Sequence, residues 1–403
     1  MNRRDFLKTT SASAALLGVN ALTPHGAPGA NDRLQIGLIG VGSRGTDHLD
    51  QILALAAKQN VTITAICDVW RKNLQAAAAK VREKLGAEPR QFTRFEDLLA
   101  LREVDAVVIA TPDFGHAPIL IAALEAGKDA YVEKPMALDI PSATKALDLA
   151  RKNNRVVQAG TQYRSDGRYL GAKKLLGTGL LGQLSRISVA VNFNEPRWAR
   201  SFEDCTEADV DWDAFLMHLP KRSFDAKLLR RWHHFREFTN GLSGLWMSHY
   251  TDIVSMLTGV AYPASAVAHG GIYVWTDGRE HTDTFHALLD YREGFLFSWA
   301  MGLANSAGTH FTLHGTKGTM DLQNWTVSNA GSTDKNLETK PLAPEPAESH
   351  MGNWLTCLRT RQRPNADIQF GHQHAVATIM AATALQTGQR QKYDPVKRVM
   401  SAG

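Results

Sequence analysis

Leu34-Gln35-Ile36-Gly37-Leu38-Ile39-Gly40-Val41-Gly42-Ser43-Arg44-Gly45 is the stretch that decides the fold of this chain. A short apolar run ends at a glycine, and Gly42 and Gly45 follow two and five residues later. From Thr46 to Ala57 the apolar residues Leu49, Ile52, Leu53 and Ala56 recur at helical spacing. A lone glycine pattern of this kind says little. Between a buried strand and an amphipathic helix it predicts a dinucleotide site. Gly40 permits the tight turn, Gly42 lets the backbone approach a pyrophosphate, and Gly45 lets the helix pack closely on the strand. The helix start, with Ser43 and Arg44 beside it, offers unpaired N–H groups and partial positive charge to the anion.

Working outward, Val61 to Cys67 reads as a second strand, closed by Asp68. An acid there accepts bonds from the adenine-ribose hydroxyls and repels a 2′-phosphate, which favours NAD over NADP. Arg44 and Arg71 soften that repulsion. Helix Arg71–Leu85, strand 106–110, the turn Thr111-Pro112-Asp113, helix 116–126, strand Asp129–Val132, helix 140–153 and strand 156–159 continue the alternation. The prediction is an α/β chain with a Rossmann-type doubly wound parallel sheet over residues 31–160. After Gly160 the pattern changes. One helix at Gly167–Leu176 precedes longer alternating stretches at 184–193, 266–274, 282–291, 295–300 and 309–314. These predict an α+β domain over 161–403 with an open mixed or antiparallel sheet. A helix at 371–387 is placed to pack back on the first domain.

Four hundred and three residues suit two domains, and the residue balance is that of an ordinary soluble protein. The formal charge of +5 falls to about +3 once residues 1–30 are set aside. That is too mild for a nucleic-acid partner, and no long basic stripe with interleaved aromatics exists. Cys67, Cys205 and Cys357 are widely spaced and odd in number, which excludes a disulfide framework and a zinc-type spacing. His372 and His374 lie two apart, off one helix face, so no metal is expected. Residues 1–30 are set apart from the fold. Arg3-Arg4-Asp5-Phe6-Leu7-Lys8 is a twin-arginine pattern, followed by a mildly apolar stretch to Leu22 that is too short and too polar to span a bilayer. It predicts recognition by the twin-arginine (Tat) export machinery and a periplasmic or otherwise exported protein.

Tyr131-Val132-Glu133-Lys134-Pro135, placed after Ala110-Thr111-Pro112 and His116, resembles the family of glucose–fructose oxidoreductase, inositol dehydrogenase and the rhizopine-catabolism protein (Gfo/Idh/MocA). Gly160-Thr161-Gln162-Tyr163-Arg164 and His249-Tyr250-Thr251-Asp252 extend the resemblance over nearly all of the chain after residue 30. It implies a Rossmann domain followed by an open α+β sheet, substrate between the two, and oligomer contacts through the sheet. Thr111, Pro112, His116, Glu133 and Gln162 are thereby expected to join Gly40, Gly42, Ser43, Arg44, Gly45 and Asp68 around the cofactor.

Hydride transfer needs a C–H aimed at the nicotinamide and a base for the hydroxyl proton. Lys134 lies at the carboxyl end of a parallel strand, where open sheets bind ligands. The resemblance implies that it bonds the reacting hydroxyl. His249 is the second acid/base candidate. The family usually has an aspartate four residues before it, and here that position is Leu245. Asp252 or Glu237 is the candidate substitute. Tyr163, Arg164, Trp232, His233, Arg236 and Asp252 offer stacking faces and polar groups suited to a carbohydrate.

Export constrains the reaction, because no soluble NAD pool is expected outside the cytoplasm. The cofactor should stay bound and be recycled within each cycle. The expectation is an NAD(P)-dependent oxidoreductase acting on a sugar, polyol or sugar derivative. One alternative is a redox-neutral glycosidase that oxidises, eliminates, hydrates and reduces. Another is a non-catalytic carbohydrate-binding protein.

Overall fold

The computed structural model describes residues 32–332 and 336–403. The twin-arginine segment and the export expectation built on it lie outside the described residues.

Six strands form the first sheet: β1 Leu34–Ile39, β2 Val61–Cys67, β3 Arg90–Phe92, β4 Ala106–Ile109, β5 Asp129–Val132 and β6 Val157–Ala159. All pair parallel in the order β3-β2-β1-β4-β5-β6. The order reverses beside β1, and that switch point opens a crevice at the strands' carboxyl ends. Helices α1 Ser43–Gln59, α2 Arg71–Leu85, α3 Phe95–Leu99, α4 Asp113–Glu125 and α5 Ile140–Lys152 connect them. β1, β4 and β5 are buried almost throughout, which is why they read as continuous apolar runs. The three-residue β3 carries no such run and gives no sequence signal.

The second sheet has ten strands in the order β14-β13-β12-β11-β7-β10-β9-β8-β15-β16. They are β7 Leu184–Asn192, β8 Ser265–Gly271, β9 Thr284–Tyr291, β10 Phe295–Gly302, β11 Thr309–Gly315, β12 Gly318–Asp321, β13 Thr326–Ser328, β14 Lys340–Pro341, β15 Gln391–Asp394 and β16 Val399–Ala402. The sheet is mixed: β7 and β10 run parallel, and the other pairs are antiparallel. β9 alternates strictly, burying Phe285, Ala287, Leu289 and Tyr291 and exposing His286, Leu288 and Asp290. One face is therefore core and the other open.

The remaining helices are α6 Gly167–Leu176, α7 Trp212–Leu216, α8 Ala226–Arg230, α9 Ser248–Thr258, α10 His350–Thr360 and α11 Ile368–Thr387. α11 packs on α9 and β8, and also reaches α5 and β6. α10, which the sequence reading missed, packs on α1 through Met351, Trp354 and Leu355. Its small, mixed residues mask its apolar face in a pattern search. The histidines of α11 are structural: Tyr262 Oη lies 2.9 Å from His372 Nδ1, and the Met136 N–H donates to His374 Nε2 at 3.2 Å. All three cysteines are free and buried. No helix among the described residues is long and apolar enough to cross a membrane.

Candidate active site

The glycine turn is built as a cradle. Gly40 sits at φ +82°, and a Cβ there would lie 2.8 Å from the Ala110 carbonyl. A Cβ on Gly45 would lie 1.9 Å from the Gly40 carbonyl oxygen. A Cβ on Gly42 would lie 3.3 Å from Asn73 Nδ2, a contact that side chain would have to yield to. α1 begins at Gly42 with no side-chain cap and no acidic residue in its first turn. Its leading N–H groups and dipole are thus left for an anion. These features fit the pyrophosphate of a dinucleotide.

A cavity of 290 Å³ runs from this turn, lined by Gly40, Gly42, Ser43, Arg44, Asp68, Thr111 and Pro112 among others. Asp68 is tied into the turn. Its Oδ2 accepts the Val41 N–H at 2.8 Å and its Oδ1 the Trp70 N–H at 2.9 Å. Burial pushes its carboxyl up, and those two bonds oppose the shift. Asn73 Nδ2 also lies 3.4 Å from both carboxylate oxygens, and Asp68 lines the cavity.

The far wall comes from elsewhere in the chain. Between β7 and the helical turn before α9, residues 194–240 form a strap that the sequence reading left almost unassigned. Val210 bridges antiparallel to Trp70, and the Asp211 N–H donates to the Val69 carbonyl at 2.8 Å. Thr93 Oγ1 donates to Asp211 Oδ2 at 2.7 Å. Trp212, Phe215, Leu216, Phe235 and Phe238 bury themselves with Trp70 and Phe114 of the first domain. A buried side chain of this size contributes roughly 1.5–3 kcal/mol. The strap is therefore held mainly by its own apolar core. Its Arg200, Phe215, Met217, Leu229, Arg230, Trp232 and His233 line the nucleotide cavity opposite the glycine turn.

A second cavity, of 440 Å³, shares Arg44, Thr111, Trp232 and His233 with the first. Lys134, Asp113, Glu133, Gln162, Leu245 and His249 line it, with Arg197, Trp198 and Trp246 on the outer wall. Lys134 closes β5, and the following bond to Pro135 is cis. Lys134 Nζ donates to the Leu245 carbonyl at 2.8 Å. Burial lowers the ammonium's pKa, while the charges of Asp113 and Glu133 oppose the shift. Glu133 Oε1 accepts from Arg44 Nε at 2.9 Å and lies 2.8 Å from His48 Nε2, and its Oε2 accepts the Lys134 N–H at 3.1 Å. Burial pushes Glu133 up, yet the His48 bond and the Arg44 charge hold it well below the usual carboxylate range. Glu133 thus anchors the lysine's backbone.

Leu245 stands where the resemblance implies an acid, and two other groups act on Lys134. Residues Ser243–Met247 form a π-turn, whose wider winding brings the Leu245 carbonyl to Lys134. Asp113, at the first turn of α4, supplies the negative charge. It is buried, and its Oδ2 accepts from Thr239 Oγ1 at 2.7 Å. The substitutes expected from the sequence do not serve. Asp252 is spent on Arg164, whose Nε lies 2.8 Å from both carboxylate oxygens, and Glu237 pairs with Arg222.

His249 lines the cavity with a buried Nδ1 that has no hydrogen-bond partner among the described residues. Burial, then the charge of Lys134, pushes its imidazole well below the usual range, so it is neutral at pH 7. Gln162, in the same cavity, has a buried Oε1 that is likewise unpartnered among the described residues. His233 stacks between Trp232, 3.6 Å between ring centroids, and Trp198, 5.2 Å.

Four sequence expectations change in detail. Arg164 and Asp252 form a buried ion pair that lines neither cavity, with the guanidinium over the Phe370 ring, so the pair is structural. Arg236 is exposed and bound to Glu280, again off both cavities. Tyr163 lines neither cavity and packs behind His249, 5.3 Å between ring centroids. His116 borders the second cavity, but its ring nitrogens lie against the Pro135 and Thr111 carbonyls at 2.8 and 2.9 Å. It shapes the pocket floor rather than reaching for a cofactor. The residues missed were Asp113, His48 and the strap's Arg197, Trp198, Arg200 and Arg230. The Trp-Arg clustering around 197–200 and 230–232 was the available signal.

Residues 34–161 match the family model described as "Oxidoreductase family, NAD-binding Rossmann fold". An inositol 2-dehydrogenase of Corynebacterium glutamicum is 36% identical over 152 residues, which covers 38% of this chain and 43% of that protein. A glycosyl hydrolase family 109 protein of Shewanella pealeana is 32% identical over 221 residues, covering 49% of this chain and 47% of that one. The chain thus matches less than half the length of these curated relatives. The WlbA dehydrogenase of Bordetella pertussis, solved with NADH and UDP-GlcNAcA, superposes with a TM-score of 0.69 at 22% identity, over 90% of this chain and 98% of that one. An aldose-aldose oxidoreductase of Caulobacter crescentus superposes with a TM-score of 0.67 at 18% identity, over 89% and 99%. These two likenesses establish a shared fold.

Proposed function

We propose that this chain, whose residues 34–161 match the NAD-binding Rossmann model of the Gfo/Idh/MocA oxidoreductase family, oxidises or reduces a hydroxyl carbon of a sugar, polyol or sugar derivative on a cofactor that stays bound. The observation that carries this reading is Lys134. It is a buried amine with a lowered pKa at the strand end where the nucleotide cavity opens into the second, aromatic-walled cavity.

NAD, when bound, supplies the acceptor for a hydrogen with its electron pair. The glycine turn, the α1 N-terminus and Asp68 would hold it. The chain's own residues do the rest. Trp198, Trp232 and Trp246 offer flat faces to the apolar side of a pyranose ring. Lys134 Nζ, held by the Leu245 carbonyl, takes the hydroxyl proton as a free amine and returns it as an ammonium. The Asp113 charge favours that ammonium. Neutral His249 accepts a hydrogen bond from a neighbouring hydroxyl. The strap keeps water and bulk exchange from the nucleotide, which supports a retained cofactor. The twin-arginine segment supports export of the loaded protein, and the open sheet face supports a homo-oligomer.

A second reading is favoured by the family 109 relatives and by Leu245. There the same Lys134 and a free His249 serve oxidation, elimination, hydration and reduction at a glycoside, with no net redox change. One experiment separates the readings. The purified protein is incubated with sugars and chromogenic glycosides without added NAD. Lactone or ketose formation supports the oxidoreductase, and released aglycone supports the glycosidase. Absence of both, with no nucleotide bound, refutes an enzymatic role.

A further inference from the structure

Most arginines near the site have a carboxylate. Arg44 has Glu133, Arg164 has Asp252 and Arg222 has Glu237. Two that line the nucleotide cavity do not. Arg200 and Arg230 both come from the strap, and neither has an ion-pair partner within 4 Å among the described residues; Asp204, which feels the Arg230 charge, is paired with Lys72. The Arg230 guanidinium lies 4.6 Å over the Trp70 ring, and its Nε donates to the Ser201 carbonyl at 3.1 Å. The Arg200 side chain is half-buried and makes no hydrogen bond to the described residues. Burial, and then the like charge of Arg230, lowers its pKa. A cation taken out of water beside another cation is unfavourable unless an anion meets it.

The position says which anion. Arg200 lines the nucleotide cavity together with His233, which also lines the second cavity and feels the Arg200 charge. Arg230 lines it as well and lies over Trp70, two residues past Asp68 at the ribose end. The middle of a bound dinucleotide is its pyrophosphate. The uncapped α1 N-terminus lines the same cavity. We propose that Arg200, flanked by Arg230, clamps the dinucleotide pyrophosphate from the strap side, so that the anion is held between a helix N-terminus and a guanidinium. Asp68 in the adenosine part of the cavity argues against a 2′-phosphate as the target. The inference rests on NAD binding and retention and is independent of the sugar chemistry.

The test uses the full-length protein and its Arg200→Ala, Arg200→Gln and Arg200→Lys variants. Nucleotide per chain is measured after extended dialysis, and NAD, NADP and adenosine are then titrated into the dialysed proteins. Arg200→Ala and Arg200→Gln are expected to lose bound nucleotide and to bind NAD at least tenfold more weakly. Adenosine affinity should be unchanged, because adenosine has no phosphate, and Arg200→Lys should recover part of the loss. Equal weakening for adenosine, or no change for NAD, overturns the clamp. A loss confined to NADP assigns Arg200 to a 2′-phosphate and also overturns it. Wild-type protein that binds no NAD refutes the cofactor reading itself. Wild-type protein that binds NAD but turns over no sugar refutes only the proposed reaction and leaves the clamp standing.

Discussion

Asp113→Asn tests whether a buried carboxylate has taken over from the acid absent at Leu245. Asparagine keeps an oxygen to accept from Thr239 Oγ1, which lies 2.7 Å from Asp113 Oδ2, so the local fold is preserved and only the charge is lost. Asp113 is the foremost charge favouring the Lys134 ammonium, against the burial that lowers its pKa. Removing an opposite charge from such a site lowers an amine's pKa further, by about one pH unit for a close neighbour. The free amine is the reactive form, so activity falls as pH drops through the Lys134 pKa. The acid limb of kcat/KM should therefore move about one pH unit lower in the variant. One pH unit below the wild-type midpoint the reactive fraction is then about fivefold higher than in wild type. On the alkaline plateau the weaker base makes the variant slower, so the two curves cross. The assay is kcat/KM against pH with the best substrate of the sugar panel. Thr239→Val, which keeps the charge, serves as the control and should leave the limb close to wild type. An unmoved limb, or one that rises, would refute the role given to Asp113.

Three further outcomes follow from the geometry. Gly45→Ala places a methyl group 1.9 Å from the Gly40 carbonyl oxygen. It should abolish bound nucleotide, read as NAD per chain, while far-UV circular dichroism stays close to wild type. Arg164→Ala leaves the buried Asp252 carboxylate without its cation, at a cost of about 3–5 kcal/mol. The denaturant midpoint should fall accordingly, and turnover per folded molecule should change little, because the pair lines neither cavity. Burial pushes His374 down to about 3 and His350 and His372 down to about 4. Each stays neutral when folded but takes a proton when unfolded below about pH 6.5, so stability falls as pH drops from 6.5 toward those values. Between pH 6.5 and 5 the loss is about 1.6 kcal/mol per histidine, and urea midpoints that do not change over that range would contradict it.

How far the sequence could be read depended on whether a residue's neighbours were local. β1, β2 and β5 were legible to the residue, because buried parallel strands are short runs rich in apolar and β-branched residues, bounded here by glycine or acid. The glycine turn was legible because three backbone constraints fall within six residues. Lys134 and His249 came from the family resemblance rather than from their chemistry alone. Arg164 and Asp252 looked like substrate groups because charge in a motif resembles function. Only their separation of 88 positions, closed in space, shows them to be a core pair. Asp113 was invisible for the opposite reason. It sat in plain view as a turn residue, and its partners Thr239 and Lys134 lie on distant elements. The strap was unreadable because its helices are only five residues each and its anchoring bonds reach from 210 and 211 back to 69, 70 and 93.

The anchor of Lys134 is a main-chain oxygen, that of Leu245. Every amino acid carries that atom. Substituting residue 245 leaves the contact in place, so a scan of side chains would pass over it and drift at this position costs it nothing. What the contact does depend on is the one residue's worth of extra winding in Ser243–Met247. Deleting a single residue there would restore ordinary helical pitch and turn that oxygen away from the lysine. The vulnerability of this active site is thus written in chain length, not in composition.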